Sequence, residues 1–160
     1  MDRIVLIGFA TSGKSSVGRL LADKLNAKFV DTDEEIEREQ GATIQQIFDE
    51  YGEEYFRNKE SEILTSLAHQ KNVIVACGGG SVLCDSFVEL AQESVVVWLT
   101  VTAATVKRRL GNTPRPLFDN LSEDELAERI ARRSPLYQRY AEIVIETDSL
   151  TPEQVAERII

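Results

Sequence analysis

"GFATSGKSS", residues 8–16, directly follows the apolar run Ile4-Val5-Leu6-Ile7. Its spacing is G-x-x-x-x-G-K-[ST], carried by Gly8, Gly13, Lys14 and Ser15. Each residue type answers to the chemistry of a phosphate chain. Backbone N–H groups turn toward phosphate oxygens only in loop conformations that glycine permits. The N-terminus of a following helix adds positive partial charge. A lysine at this position reaches the β- and γ-phosphates, and the hydroxyl beside it coordinates Mg²⁺. The context fits: a buried strand comes before, and Val17, Leu20, Leu21 and Leu25 form the apolar stripe of a helix after it. The stretch therefore predicts a nucleoside triphosphate site built from Gly8, Ala10, Thr11, Ser12, Gly13, Lys14, Ser15 and Ser16.

Further runs of strand length recur along the chain at residues 3–8, 28–31, 73–77, 94–100 and 142–146. Val73-Ile74-Val75-Ala76 and Val95-Val96-Val97-Trp98-Leu99 are continuously apolar, as in strands covered on both faces. Thr32-x-x-Glu35, Ser122-x-x-Glu125 and Thr151-x-x-Gln154 each fit a capping box, and Pro152 suits a first helical position. Strands alternating with helices predict an α/β three-layer sandwich with a parallel sheet. The 160 residues have the size of one domain. The stretch "GNTPRPLFDNL", residues 111–121, lacks periodicity and holds Arg115 in its middle. A loop of that length is either a functional lid or a plain connection.

Net charge is −9 and the isoelectric point is near 4.7. Such a chain repels nucleic-acid backbones and anionic membranes, so neither is an expected partner. No run approaches the ~20 apolar residues of a membrane span, and the N-terminus lacks the apolar stretch of a secretory signal. Two cysteines, Cys77 and Cys84, are then expected as reduced thiols in a cytoplasmic protein. With the single histidine, His69, they make no zinc spacing, and His69 reads as a surface helix residue. Against the acidic background, Arg108, Arg109, Arg115, Arg129, Arg132, Arg133 and Arg139 cluster in the C-terminal half. They either pair with helix-surface glutamates or form an anion pocket.

A phosphate cradle alone does not name a reaction. Asn58-Lys59-Glu60-Ser61 lacks the aspartate that a guanine-reading switch carries, and Asp49-x-x-Gly52 follows no strand. The strand at 73–77 ends in Cys77-Gly78-Gly79-Gly80 rather than in the acid of a motor ATPase. In "FVDTDEEIE", residues 29–37, Asp31 falls at the C-terminal end of a strand, where a carboxylate holds Mg²⁺. Asp33 can align substrate hydroxyls and take a proton, or, like Glu34 and Glu35, merely complement a helix dipole. Arg57 and Glu60 are either a surface pair or an oriented anion binder. Gly78, Gly79 and Gly80 suggest a substrate pressed against bare backbone. Arg133 precedes Pro135, which is expected to interrupt the helix and aim the arginine inward, with Arg132 as the competing candidate.

Taken together, the cradle, Asp31-x-Asp33, Phe56-Arg57-x-x-Glu60, the triple glycine, Arg115-Pro116-Leu117 and Arg133-x-Pro135-Leu136-Tyr137 resemble the shikimate kinases in order and spacing. The resemblance runs from Ile4 to the last helix. It implies a P-loop, nucleoside-monophosphate-kinase-like fold with a five-stranded parallel sheet, a substrate-binding segment at about 32–61 and a lid at about 111–121. It implies transfer of the γ-phosphate of ATP, with one Mg²⁺, to the 3-hydroxyl of shikimate, a step toward chorismate and the aromatic amino acids. By position, Lys14, Asp33 and Arg115 match catalytic residues. Asp33, Arg57, Gly78–Gly80 and Arg133 match the shikimate contacts, Arg108 the adenine contact, and Ser15 with Asp31 the metal site. The partners implied are small molecules, ATP and shikimate; separately, the protein is expected to be a monomer. Two positions depart from the family pattern: Thr11 stands where many members have glycine, and Phe118 follows Arg-Pro-Leu where leucine is common.

Overall fold

The computed structural model describes residues 3–111, 118 and 120–160. Most of the expected lid, Arg115 included, lies outside these residues. The order is β1 (Arg3–Ile7), α1 (Lys14–Leu25), β2 (Lys28–Asp31), α2 (Thr32–Gln40), α3 (Ile44–Leu67), β3 (Val73–Ala76), a 3₁₀ turn (Ser81–Leu83), α4 (Ser86–Gln92), β4 (Val95–Thr100), α5 (Ala103–Leu110), α6 (Glu123–Tyr140), β5 (Ile143–Glu146) and α7 (Pro152–Ile159). Each of the five strands falls within one residue of the run that predicted it.

The five strands form one parallel sheet in the order β2-β3-β1-β4-β5. Strand β1 is buried at every position, because it lies in the centre with helices over both faces. Its side chains alternate between two cores, as the two-residue strand period requires. Val5 and Ile7 join Val75, Val96, Ile36, Phe56, Leu64 and Tyr137 on one face. Ile4 and Leu6 join Val97, Leu99, Ile145, Val17, Leu21 and Val155 on the other, under α1 and α7. This is the α/β three-layer sandwich that the strand–helix alternation predicts.

Local starts and stops largely follow the sequence signals. Ser122 and Thr151 each close a capping box with Glu125 and Gln154. Thr43 closes another with Gln46, a pairing the sequence reading passed over. Thr32 does not. Helix α2 begins one residue earlier than expected, with Asp31 Oδ1 accepting from the Glu34 N–H at 3.1 Å. Thr32 is buried and its hydroxyl instead accepts from the Gly78 N–H at 2.8 Å. A carboxylate is as good an N-cap as a hydroxyl, so Asp31 takes the position that the capping-box reading gave to Thr32.

Two further expectations fail. Pro135 does not interrupt α6, which runs through it to Tyr140. The helix loses only the hydrogen bond that Pro135 cannot donate. His69 sits in the turn just beyond α3 rather than in the helix, exposed and 3.4 Å from Glu89. Inside α3, Gly52 adopts φ 87° and ψ 173°, a region essentially open to glycine alone, and kinks the helix there. Asp49-x-x-Gly52 is thereby confirmed as helix and kink, not a nucleotide switch motif. Among the described residues, no helix is long and apolar enough to cross a membrane.

Candidate active site

The cradle forms where β1 ends. Gly8 and Gly13 carry positive φ, 150° and 93°, and Gly13 is the N-cap of α1. The Ser12 N–H closes a turn onto the Phe9 carbonyl at 3.2 Å. Lys14 Nζ donates to the Gly8 and Phe9 carbonyls at 2.7 and 3.0 Å, folding the ammonium over the loop. Ala10 packs against the small core around Phe9, while Ser16 is exposed on the first turn of α1.

Thr11 is the anomaly of this loop. A β-branched residue, it holds φ 66°, and its Oγ1 is buried without a hydrogen-bond partner. The left-handed conformation costs an L-residue about 1–2 kcal/mol, and an unsatisfied buried hydroxyl about 1–3 kcal/mol. Glycine removes both, against about 0.5–1 kcal/mol of added unfolded-state entropy. Thr11→Gly is therefore expected to raise the melting temperature by about 2–4 °C per kcal/mol gained. A scanning-calorimetry midpoint that falls contradicts this account of the loop.

The Thr11 carbonyl accepts from Arg109 Nη1 at 2.7 Å, and Arg109 Nη2 donates to the Thr147 carbonyl at 3.1 Å. Arg109 thus ties the cradle to the segment after β5, whereas Arg108, the residue read as the nucleotide contact, is exposed on α5. The sequence reading missed Arg109. Helical phase could have found it, since Arg109 lies three and four residues beyond the buried Val106 and Thr105.

Ser15 and Asp31 meet directly: the Ser15 hydroxyl donates to Asp31 Oδ2. Asp31 divides its oxygens, one capping α2 and the other facing the start of α1. Two oxygen donors of this kind beside a phosphate loop suit a hard cation such as Mg²⁺.

On the neighbouring strand, β3 runs into Gly78-Gly79-Gly80, and this corner gathers the acceptor-side candidates. A Cβ on Gly78 would lie 2.4 Å from Asp33 Oδ1, and one on Gly80 would lie 2.4 Å from Arg57 Nη2. The Gly79 carbonyl accepts from Arg133 Nη1 at 2.6 Å and from the Tyr137 hydroxyl at 2.6 Å. So Asp33, Arg133 and Arg57 each lie against one glycine of the three, in that order. The glycines make room for these side chains, a reason the sequence reading did not supply. The corner is pinned to its surroundings by Cys77 N–H to the Leu6 carbonyl at 3.0 Å, which sets it beside the cradle.

This geometry ranks the glycines. In Gly78→Ala and Gly80→Ala the fold has only side-chain ends to move, but those ends are the Asp33 carboxylate and the Arg57 guanidinium. A Cβ on Gly79 meets nothing closer than 3.7 Å. Gly78→Ala and Gly80→Ala are expected to lower kcat/KM by about 10-fold or more, equivalent to about 1.4 kcal/mol, with melting temperatures close to wild type. Gly79→Ala should stay within a few-fold, and a reversed order in steady-state assays refutes this packing argument.

Arg57 and Glu60 are not a surface pair. Glu60 is completely buried and accepts from Arg57 Nη1 at 2.7 Å, Ser81 Oγ at 2.8 Å and Cys84 Sγ at 3.3 Å. Burial lowers the proton affinity of Arg57, but the charge and hydrogen bond of Glu60 more than restore it. Burial and the Glu60 charge push the Cys84 thiol up to about 12, and burial pushes Cys77 up as well. Neither cysteine is in a disulfide, and both are held as thiols near neutral pH. Arg132 points outward to Glu128 on the exposed face of α6, so the competition between Arg132 and Arg133 resolves in favour of Arg133 at the corner.

A central-strand phosphate loop, helices on both faces of a five-stranded parallel sheet and an ionic corner on the adjacent strand define a P-loop phosphotransferase of the nucleoside-monophosphate-kinase-like class. Within that class the chain belongs to the shikimate kinase family, whose family model matches residues 10–160. It is 42% identical to the shikimate kinase of Thermodesulfovibrio yellowstonii, over 100% of this chain and 94% of that protein. Among solved structures, shikimate kinase from Acinetobacter baumannii in complex with shikimate superposes with a TM-score of 0.91 at 34% identity, covering 99% of this chain and 90% of that one. A gluconokinase from Sinorhizobium meliloti, 18% identical with a TM-score of 0.61 over 98% of this chain and 87% of that one, shares the fold alone.

Proposed function

We propose that this chain transfers the γ-phosphoryl group of ATP to the 3-hydroxyl of shikimate, giving shikimate 3-phosphate and ADP. The observation that carries this reading is the glycine corner, where one carboxylate and two guanidinium groups converge next to the phosphate cradle. Shikimate is a small ring with one carboxylate and three hydroxyls. Arg57 and Arg133 take the carboxylate through charge-assisted hydrogen bonds, and Asp33 aligns the hydroxyls. The attacking oxygen forms its bond to the γ-phosphorus as the bond from that phosphorus to the β–γ bridging oxygen breaks. Asp33 is the group placed to receive the hydroxyl proton.

Phosphoryl transfer depends mainly on alignment and on stabilising spread negative charge. Lys14 leaves the loop carbonyls for the β- and γ-phosphates. Mg²⁺ held by Ser15 and Asp31 supplies neutralisation of the phosphate oxygens when bound. In this reading residues 32–61 form the substrate-binding segment of a single domain. The lid at 111–121 brings Arg115, which lies outside the described residues, onto the phosphates and excludes water. Arg108 remains the proposed adenine contact. We read the protein as a monomeric cytoplasmic enzyme whose partners are ATP and shikimate.

A coupled ADP-release assay over a panel of acceptors tests the assignment. Release is expected to depend on shikimate and on Mg²⁺. Turnover with gluconate or a nucleoside monophosphate in its place, or nucleotide binding with no acceptor-dependent release, overturns it.

A further inference from the structure

Tyr137 stands one helical turn beyond Arg133 on α6 and is almost completely buried, 2% exposed. Neither the cradle nor the acceptor chemistry above makes use of it. Its hydroxyl and Arg133 Nη1 donate to one and the same oxygen, the Gly79 carbonyl, each at 2.6 Å. A carbonyl oxygen offers two lone pairs, so α6 fills both.

A Cβ built on Gly79 finds the Tyr137 hydroxyl at 3.7 Å and Arg133 Nη1 and the Gly8 carbonyl at 3.8 Å, all ordinary van der Waals contacts. Gly78 and Gly80, by contrast, are wedged against Asp33 and Arg57. Two side-chain donors from one helix thus fix the direction of the middle carbonyl. The phenol is well suited to that task. Its ring is set in the core against Trp98, with centroids 5.7 Å apart. Burial raises its pKa above the ordinary phenol value, so it remains a donor throughout the neutral range.

We propose that Tyr137 is a positioning residue for the substrate carboxylate site: it fixes the Gly79 carbonyl against which Arg133 is aligned, leaving the other N–H groups of Arg133 directed at the ligand. This rests on the reading of Arg133 as a carboxylate contact. It assigns a function to the last residue of Arg-x-Pro-Leu-Tyr, to which the sequence analysis gives no role of its own.

The test is Tyr137→Phe, which keeps the ring and removes the hydroxyl, examined alone and combined with Arg133→Ala. Shikimate KM and the calorimetric Kd for shikimate are expected to rise about 3- to 10-fold, the effect of one such hydrogen bond. The KM for ATP stays at the wild-type value. In the Arg133→Ala background, Tyr137→Phe adds no further change in shikimate KM, because the group it positions is gone. An unchanged shikimate KM, equal rises for both substrates, or full additivity in the double variant overturns the proposal. A wild-type enzyme without shikimate-dependent ADP release overturns the functional reading itself, and the two failures are thereby distinguished.

Discussion

Asp33→Asn is expected to lower kcat by about 100- to 10,000-fold while the protein still folds, the range seen when a positioned proton acceptor is lost. Two roles compete for this residue, and the variant separates them. Asp33 lies in the first turn of α2 together with Glu34 and Glu35, where any acid gains about 0.3–1 kcal/mol from the helix dipole. If that were its whole role, amidation would shift the melting temperature slightly and leave turnover alone. The neighbours show what the dipole role looks like. Glu34 pairs with Arg19 at 2.7 Å and Glu35 with Arg38 at 2.6 Å, both toward solvent. Asp33 instead turns to the glycine corner, against Gly78. Glu34→Gln is therefore the control, with kcat expected within a few-fold of wild type. Asparagine keeps the shape and a hydrogen-bonding oxygen but accepts no proton, so a variant with near-normal kcat removes the proton-accepting assignment. Phosphoryl transfer through a loose transition state needs little proton removal early on, and this makes the measurement informative about mechanism as well as identity.

The cradle was legible because its chemistry demands particular residue types at fixed spacing, and local structure follows from those types. The central strands β1, β3 and β4 were legible because parallel strands covered on both faces leave continuous apolar runs, while the edge strands β2 and β5 are short and half-exposed and gave weaker runs. What residue type and motif spacing did not resolve was orientation within a helical turn, where helical phase carried the signal. Arg108 and Arg109 are adjacent, yet one is exposed and the other bonds to the Thr11 carbonyl. Arg132 and Arg133 divide in the same way. For that second pair the expected reason was a proline break, but α6 runs on through Pro135, and the inward direction of Arg133 follows from helix phase and from the Gly79 carbonyl waiting opposite. The end of β2 shows the same limit at a helix start. Asp31 and Thr32 both qualify as caps, and the choice went to Asp31 because Thr32 is drawn to the Gly78 N–H on the neighbouring strand. That contact spans 46 residues, and local pattern carries no information about it. The Glu60 cluster was hidden for a related reason. Its hydrogen bonds to Ser81 and Cys84 arise only when the turn after β3 folds onto α3, so from spacing alone Arg57 and Glu60 could equally have been a surface pair.

Arg133→Ala is expected to raise the shikimate KM by about 30-fold or more and leave the KM for ATP nearly unchanged, since truncating one partner of a hydrogen-bonded charge pair costs about 2–5 kcal/mol. The fold has a reserve against this change. Tyr137 continues to satisfy the Gly79 carbonyl when Arg133 is removed, so the corner keeps one of its two donors and the melting temperature should fall only modestly. Arg133→Lys retains the charge but not the planar fork. It can bond to the Gly79 carbonyl or to a substrate carboxylate, but not to both in the way a guanidinium can, and is expected to fall between wild type and alanine. Arg132→Ala is the matched control one residue away. Its exposed pair with Glu128 belongs to a class worth about 0–1 kcal/mol, and its removal should leave both KM values in place. Equal losses for shikimate and ATP in Arg133→Ala would move that residue from the acceptor site to the phosphates. The carboxylate would then rest on Arg57 alone, whose fixed engagement with Glu60 already commits one arm of its guanidinium.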